Sequence, residues 1–139
     1  MANRKTSEAA LNPHSDPVAQ DTTIDAGNIV CLDALGNAVP GSAAAGLVAR
    51  GVSQEKVENW GLAGDKWITS RSGVFLFENA AADAITRAEI GDYAYISTAT
   101  EVCKTAAGKS VAGVVKDIIG TEVAVAIGAS PSVAPPVTP

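Results

Sequence analysis

The stretch SGVFLFENAAADAITRAEIGDYAYIS, residues 72–97, decides the fold class. In its first half Val74 and Leu76 point one way and Phe75 and Phe77 the other, the period-two alternation of a strand. YAYIS reads as a second strand. Between them an alanine-rich segment leads into TRAE, where Thr86 can cap the amides of a short helical turn while Glu89 reaches back to the cap. Gly91-Asp92 ends that turn and releases the chain into the next strand. The stretch holds both Phe and both Tyr of the chain. It contains no His and no Cys, so it reads as frame rather than as a reacting surface.

The same punctuation recurs outward in both directions. NIVCLD, AGLVARGVS, KWITS, EVCKT, SVAGVVKDI and EVAVAIG are short apolar runs separated by Gly, Asn and Asp. Leu35-Gly36-Asn37 turns the first run back, and IIGTE supplies a tight hairpin between the last two. In AGLVARGVS, Leu47, Ala49 and Gly51 alternate against Val48, Arg50 and Val52. In the final run Val123, Val125 and Ile127 share one face, and Ala124 and Ala126 the other. The pattern predicts an all-β fold, a small antiparallel β-barrel or β-sandwich with one short helical insertion.

Residues 1–23 are polar and broken by Asn12-Pro13 and Asp16-Pro17, which predicts an extended N-terminal arm, removable without unfolding the rest. Residues 24–128 carry the domain. Residues 129–139, ASPSVAPPVTP, are uncharged and rich in proline, which predicts a flexible tail.

A chain of 139 residues suits one domain. Apolar residues make up 47% but aromatics only 4%, so the core is built from small side chains and buries modest area per residue. Oligomerisation is a common way for such a domain to bury more. The net charge is −5, and Arg4-Lys5 is the sole adjacent basic pair, which argues against direct nucleic-acid binding. No run of about 18 apolar residues is present, so no membrane span is expected. The N-terminal basic residues are not followed by an apolar stretch, so no secretory signal is expected either, and the chain is read as cytosolically made and soluble.

Candidate chemistry is sparse. AAGKS, residues 106–110, has the end of a phosphate loop, but Cys103 stands where the earlier Gly belongs and a strand-like run follows, so a Gly-centred turn is expected. His14, the sole histidine, falls between two X-Pro steps and is expected to be exposed and inert. The carboxylates lie near turns with no calcium-loop spacing. Cys31 and Cys103 read as small buried hydrophobes, a disulfide between them staying open, and two Cys without neighbouring His do not make a zinc site. Neither a catalytic constellation, a cofactor motif nor a metal site is predicted. Trp60 and Trp67 flank GLAGDK in a loop, either as interface anchors or as plugs for one end of a barrel.

Six segments in order carry a family likeness: Gly27–Pro40, Gly51-Val52, Gly73–Phe75, Gly91–Ile96, Ala112–Val115 and Glu122–Ile127. In this order and spacing, over most of residues 24–128, the chain resembles the small capsid cement, or head-decoration, proteins of tailed bacteriophages. The resemblance rests on turn and strand residues rather than on a chemical signature. It implies a non-enzymatic protein, made in the bacterial host cytoplasm, that binds the outer surface of an expanded head as a homotrimer. There it would bridge major capsid protein subunits and stabilise the virion. The arm residues Asn3, Arg4, Lys5 and Leu11 are the expected capsid contacts, by strand addition with Leu11 as an apolar peg. Trp60 and Trp67 also fit an alternative, a virion-surface carbohydrate-binding or fibre-base module in which they stack on sugars. A structural protein of the tail or baseplate is a further alternative.

Overall fold

A computed structural model describes residues 12–128, and within them the chain is nearly all strand. Seven strands come first: β1 (His14–Pro17), β2 (Thr22–Ile24), β3 (Ile29–Leu32), β4 (Ala38–Pro40), β5 (Val48–Ser53), β6 (Val57–Asn59) and β7 (Trp67–Arg71). Five follow: β8 (Gly73–Asn79), β9 (Tyr93–Ile96), β10 (Glu101–Cys103), β11 (Val111–Ile119) and β12 (Glu122–Ile127). The second set closes into a five-stranded barrel in the order β10-β8-β12-β11-β9. The first set forms a five-stranded sheet, β1-β7-β5-β3-β4, with β2 and β6 as a separate ribbon. An isolated parallel bridge between Val18, just after β1, and Ala38 in β4 draws the two edges of that sheet together and curls it. The expected all-β class is therefore present.

Two cores result. The larger lies between the sheet and the closed barrel and contains Ile29, Cys31, Ala49 and Val52 from one side and Phe77, Ile96, Val115, Val123 and Val125 from the other. The smaller lies inside the curled sheet and contains Val18, Val30, Ala38 and Ile68, with Ile24 and Val57 added by the β2–β6 ribbon. β3 thus faces a core on both sides, which is why it reads as an unbroken apolar run.

On β8 the alternation is as expected: Phe77 is buried and Phe75 packs on the core, while Val74 and Leu76 face out. On β5 it breaks. Val30 pairs with Gly51 but Cys31 pairs with Ala49, so Arg50 is an extra residue. This bulge turns Val52 to the same core as Ala49, correcting the face expected for Val52. Gly51 is needed beside it, since a Cβ there would stand 2.6 Å from the Arg71 carbonyl oxygen.

The helical insertion is two 3-10 turns, Ala81–Asp83 and Arg87–Glu89. The second carries the capping box read from TRAE: Ala88 N donates to Thr86 Oγ1 and Thr86 N donates to Glu89 Oε1 at 2.8 Å. The Thr86 amide and its hydroxyl, which also donates to Glu89 Oε1 at 2.9 Å, hold the Glu89 carboxyl below its ordinary range. The insertion, with β9, carries the chain from β8 to a β10 that runs parallel to it, so the barrel is not wholly antiparallel.

The N-terminal boundary also moves. β1 pairs with β7 from His14↔Ser70 to Pro17↔Trp67, Val18 is fully buried, and β2 pairs with β6. Residues 14–23 are therefore part of the fold and not of an arm. Polar partners hold them: Asp16 accepts from Arg50 Nε at 3.0 Å and Nη2 at 3.3 Å, with the carboxylate largely buried.

Candidate functional site

Both ends of the described chain meet at Ser72. Ser72 N donates to Asn12 Oδ1 at 3.1 Å, and Asn12 Nδ2 donates back to Ser72 O at 3.3 Å. Gly128 packs so closely on Ser72 that a Cβ there would strike its side chain. His14 sits in the same place. It is 8% exposed, not solvated as expected, and shares a 2.7 Å hydrogen bond between Nε2 and Ser72 Oγ. Burial, then the positive charge of Arg50, lowers its pKa, with Asp16 opposing. The Ser72–His14–Asp16 set does not have the order of a catalytic triad. Asp16 turns both oxygens to Arg50, and His14 Nδ1 is buried without a partner, as is Ser70 Oγ on the opposite strand. The group acts as a clasp that ties Asn12 and His14 to Ser72.

Trp60 and Trp67 lie at the other end of the curled sheet. β1 ends where β7 begins, which brings the 60–66 loop to that end, and the parallel Val18–Ala38 bridge brings the 33–37 turn to it. Backbone bonds tie the parts together. Val18 N donates to Lys66 O (2.9 Å), Gly64 N to Val18 O (3.0 Å) and Ala19 N to Ala38 O (3.0 Å). Four large apolar side chains are exposed on these turns or at the start of β7: Leu35 at 86% exposure, Trp60 at 71%, Leu62 at 66% and Trp67 at 56%. The alternative that the Trp pair plugs a barrel end is thereby corrected, because Ile68, Ile24 and Val18 already fill that volume.

The turns are held rigid by side chains. Asn59 is buried, and its Nδ2 donates to Val18 O, Ala19 O and Leu62 O while its Oδ1 accepts from Gly61 N. Asp65 Oδ2 accepts from Leu62 N at 3.0 Å. Asp33 Oδ1 accepts from both Leu35 N and Asn37 N. Glu58, exposed close to Trp60 in the chain, pairs with Lys56 at 3.1 Å, and that cation holds its carboxyl below the ordinary range. Sequence reasoning found the two Trp but missed Leu35 and Leu62. The available signal was a large apolar residue next to Gly inside a turn, as in LG and GLAG.

A second apolar surface runs across the outside of the closed barrel. Val74, Ala126, Val114 and Tyr93 are successive register partners, and Leu76 lies beside them. Val74 and Leu76 are exposed.

The remaining candidates carry no constellation. Residues 106–109 form a turn closed by Lys109 N donating to Ala106 O, and β11 follows it, so the phosphate-loop geometry is not built. Cys31 and Cys103 are both buried and free, and burial pushes the Cys31 thiol up to about 12. Among the described residues no group of three or more His, Cys, Asp or Glu could hold a metal ion. Asn3, Arg4, Lys5 and Leu11 lie outside the described residues. No protein-family model, no curated protein and no solved structure matches this chain.

Proposed function

We propose that this chain is a head-decoration protein of a tailed bacteriophage, binding the outer surface of the expanded capsid and bridging major capsid protein subunits. The observation that carries the reading is the surface: large apolar side chains stand exposed on locked turns at one end and on barrel strands elsewhere. Apolar surface of this kind marks interaction sites. The six segments of the family likeness support it, since they fall on strands and tight turns and account for rigidity rather than chemistry.

Such a protein stabilises a shell by binding the assembled state in preference to free subunits, about 2.7 kcal/mol per site at a hundredfold excess over Kd. The Val74–Ala126–Val114–Tyr93 row offers a self-association surface for a homotrimer, and the solution mass tests that assignment. Residues 1–11, with Asn3, Arg4, Lys5 and Leu11, remain the proposed strand-adding capsid contact. Adding purified protein to expanded heads that lack it, then measuring bound copies, tests the function. Saturable decoration is expected, and failure to bind refutes it.

Exposure of both Trp, with Glu58 beside Trp60, gives the carbohydrate-binding alternative a specific footing. A glycan array showing binding lost in Trp60→Ala selects that reading.

A further inference from the structure

We infer that the end of the curled sheet bearing Leu35, Trp60, Leu62 and Trp67 docks into an apolar groove edged by lysine and arginine on a protein partner. The inference rests on the head-decoration reading above, in which that partner is the assembled capsid. It places the main contact at the Pro17 end of β1, beside the strand-adding contact proposed for residues 1–11.

Three observations carry it. First, these four side chains are each exposed, on or next to turns that backbone hydrogen bonds hold at one end of the sheet. Large apolar side chains exposed close together in the fold mark a docking surface. Second, the turns are preorganised. Asn59 ties the 60–62 turn to Val18 and Ala19, Asp65 holds Leu62, and Asp33 holds Leu35. Little conformational freedom is then lost on binding, so more of the contact free energy appears as affinity. Third, the charge on the turns is net negative. The three turns at residues 18–22, 33–37 and 60–66 carry Asp21, Asp33 and Asp65 against Lys66 alone. That collar favours a basic rim on the partner and disfavours anionic headgroups. Leu35 and Leu62 add aliphatic surface with no hydrogen-bonding capacity, which suits a protein groove better than a sugar.

The test uses the full chain and expanded heads, lacking this protein, from the phage that encodes it. Trp60→Ala with Trp67→Ala should weaken binding by about 100-fold. Leu35→Ser, at the most exposed position, is an independent second variant and should weaken it by about 10-fold. Asp21→Asn suits the positive φ of 49° at that position and leaves the turn-holding carboxylates intact. It should weaken binding by about threefold at low salt, with the difference gone at about 0.5 M. Wild-type affinity in both the Trp and Leu35 variants overturns the inference and leaves the head-decoration reading standing. No decoration by the wild-type chain overturns both. Trp60-dependent binding to anionic vesicles or to a glycan array, with shell binding unaffected, overturns the choice of a protein partner.

Discussion

Replacing Asn59 should loosen the apolar end of the molecule while sparing both cores. The side chain is 1% exposed and makes four hydrogen bonds of 3.0–3.1 Å, to the carbonyls of Val18, Ala19 and Leu62 and from the Gly61 amide. In Asn59→Ala, Val18 O keeps its bond from Gly64 N, and Leu62 O keeps its bond from Asp65 N. Ala19 O and Gly61 N lose the amide that satisfied them. Two such groups at about 1–2 kcal/mol each give a loss of about 3 kcal/mol, or about 10 °C in Tm for a domain of this size. Asn59→Asp should cost more at neutral pH, because a carboxylate cannot donate to three carbonyls. Its deficit should shrink in acid as the carboxyl protonates and regains a donor. Urea unfolding followed by circular dichroism reads both, with a lower midpoint and an unchanged slope expected. A loss in Asn59→Ala below about 0.5 kcal/mol, the level of an ordinary surface change, would refute the claim that this amide holds the loop.

Gly113→Ala puts a Cβ against the Ala126 carbonyl oxygen of the neighbouring strand and should cost about 2–4 kcal/mol by thermal unfolding. Deleting residues 1–20 removes β1 and the fully buried Val18, so it should destabilise the fold by several kcal/mol more than deleting residues 1–11. The lowered pKa of His14 means that the unfolded chain binds the proton more tightly. Stability should therefore be complete above about pH 6.5 and fall on acidification through the window between that value and the folded pKa. The slope is at most about 1.4 kcal/mol per pH unit, and His14→Gln should flatten that part of the curve. Both thiols should resist an aromatic disulfide reagent in the native protein and react on addition of denaturant, because each is buried and has a raised pKa.

The later strands were legible from their apolar runs, most plainly where burial alternates. β8 alternates cleanly, β12 buries Val123, Val125 and Ile127 on one face, and Thr86 and Glu89 are close enough in sequence to announce their own cap. β1 was hidden because its inward residues are His14 and Asp16, whose burial is tolerable only through Ser72 and Arg50, far away in the chain. Its Pro17 looked like a breaker, yet β1 lies at the edge of its sheet, where a missing amide costs little. β2 and β6 have three residues each, too few for a period to show. The bulge at Arg50 reversed a face that strict alternation assigns otherwise. For the apolar end, composition flagged Trp60 and Trp67, but only the parallel Val18–Ala38 bridge brings Leu35 to the same place.

Cryo-electron microscopy of expanded heads lacking this protein, imaged before and after adding the purified chain, bears most directly on what it does. Added density at fixed lattice positions on the outer surface, together with greater resistance of the heads to heating, is the predicted result. Heads whose surface and thermal stability are unchanged at saturating protein would contradict it.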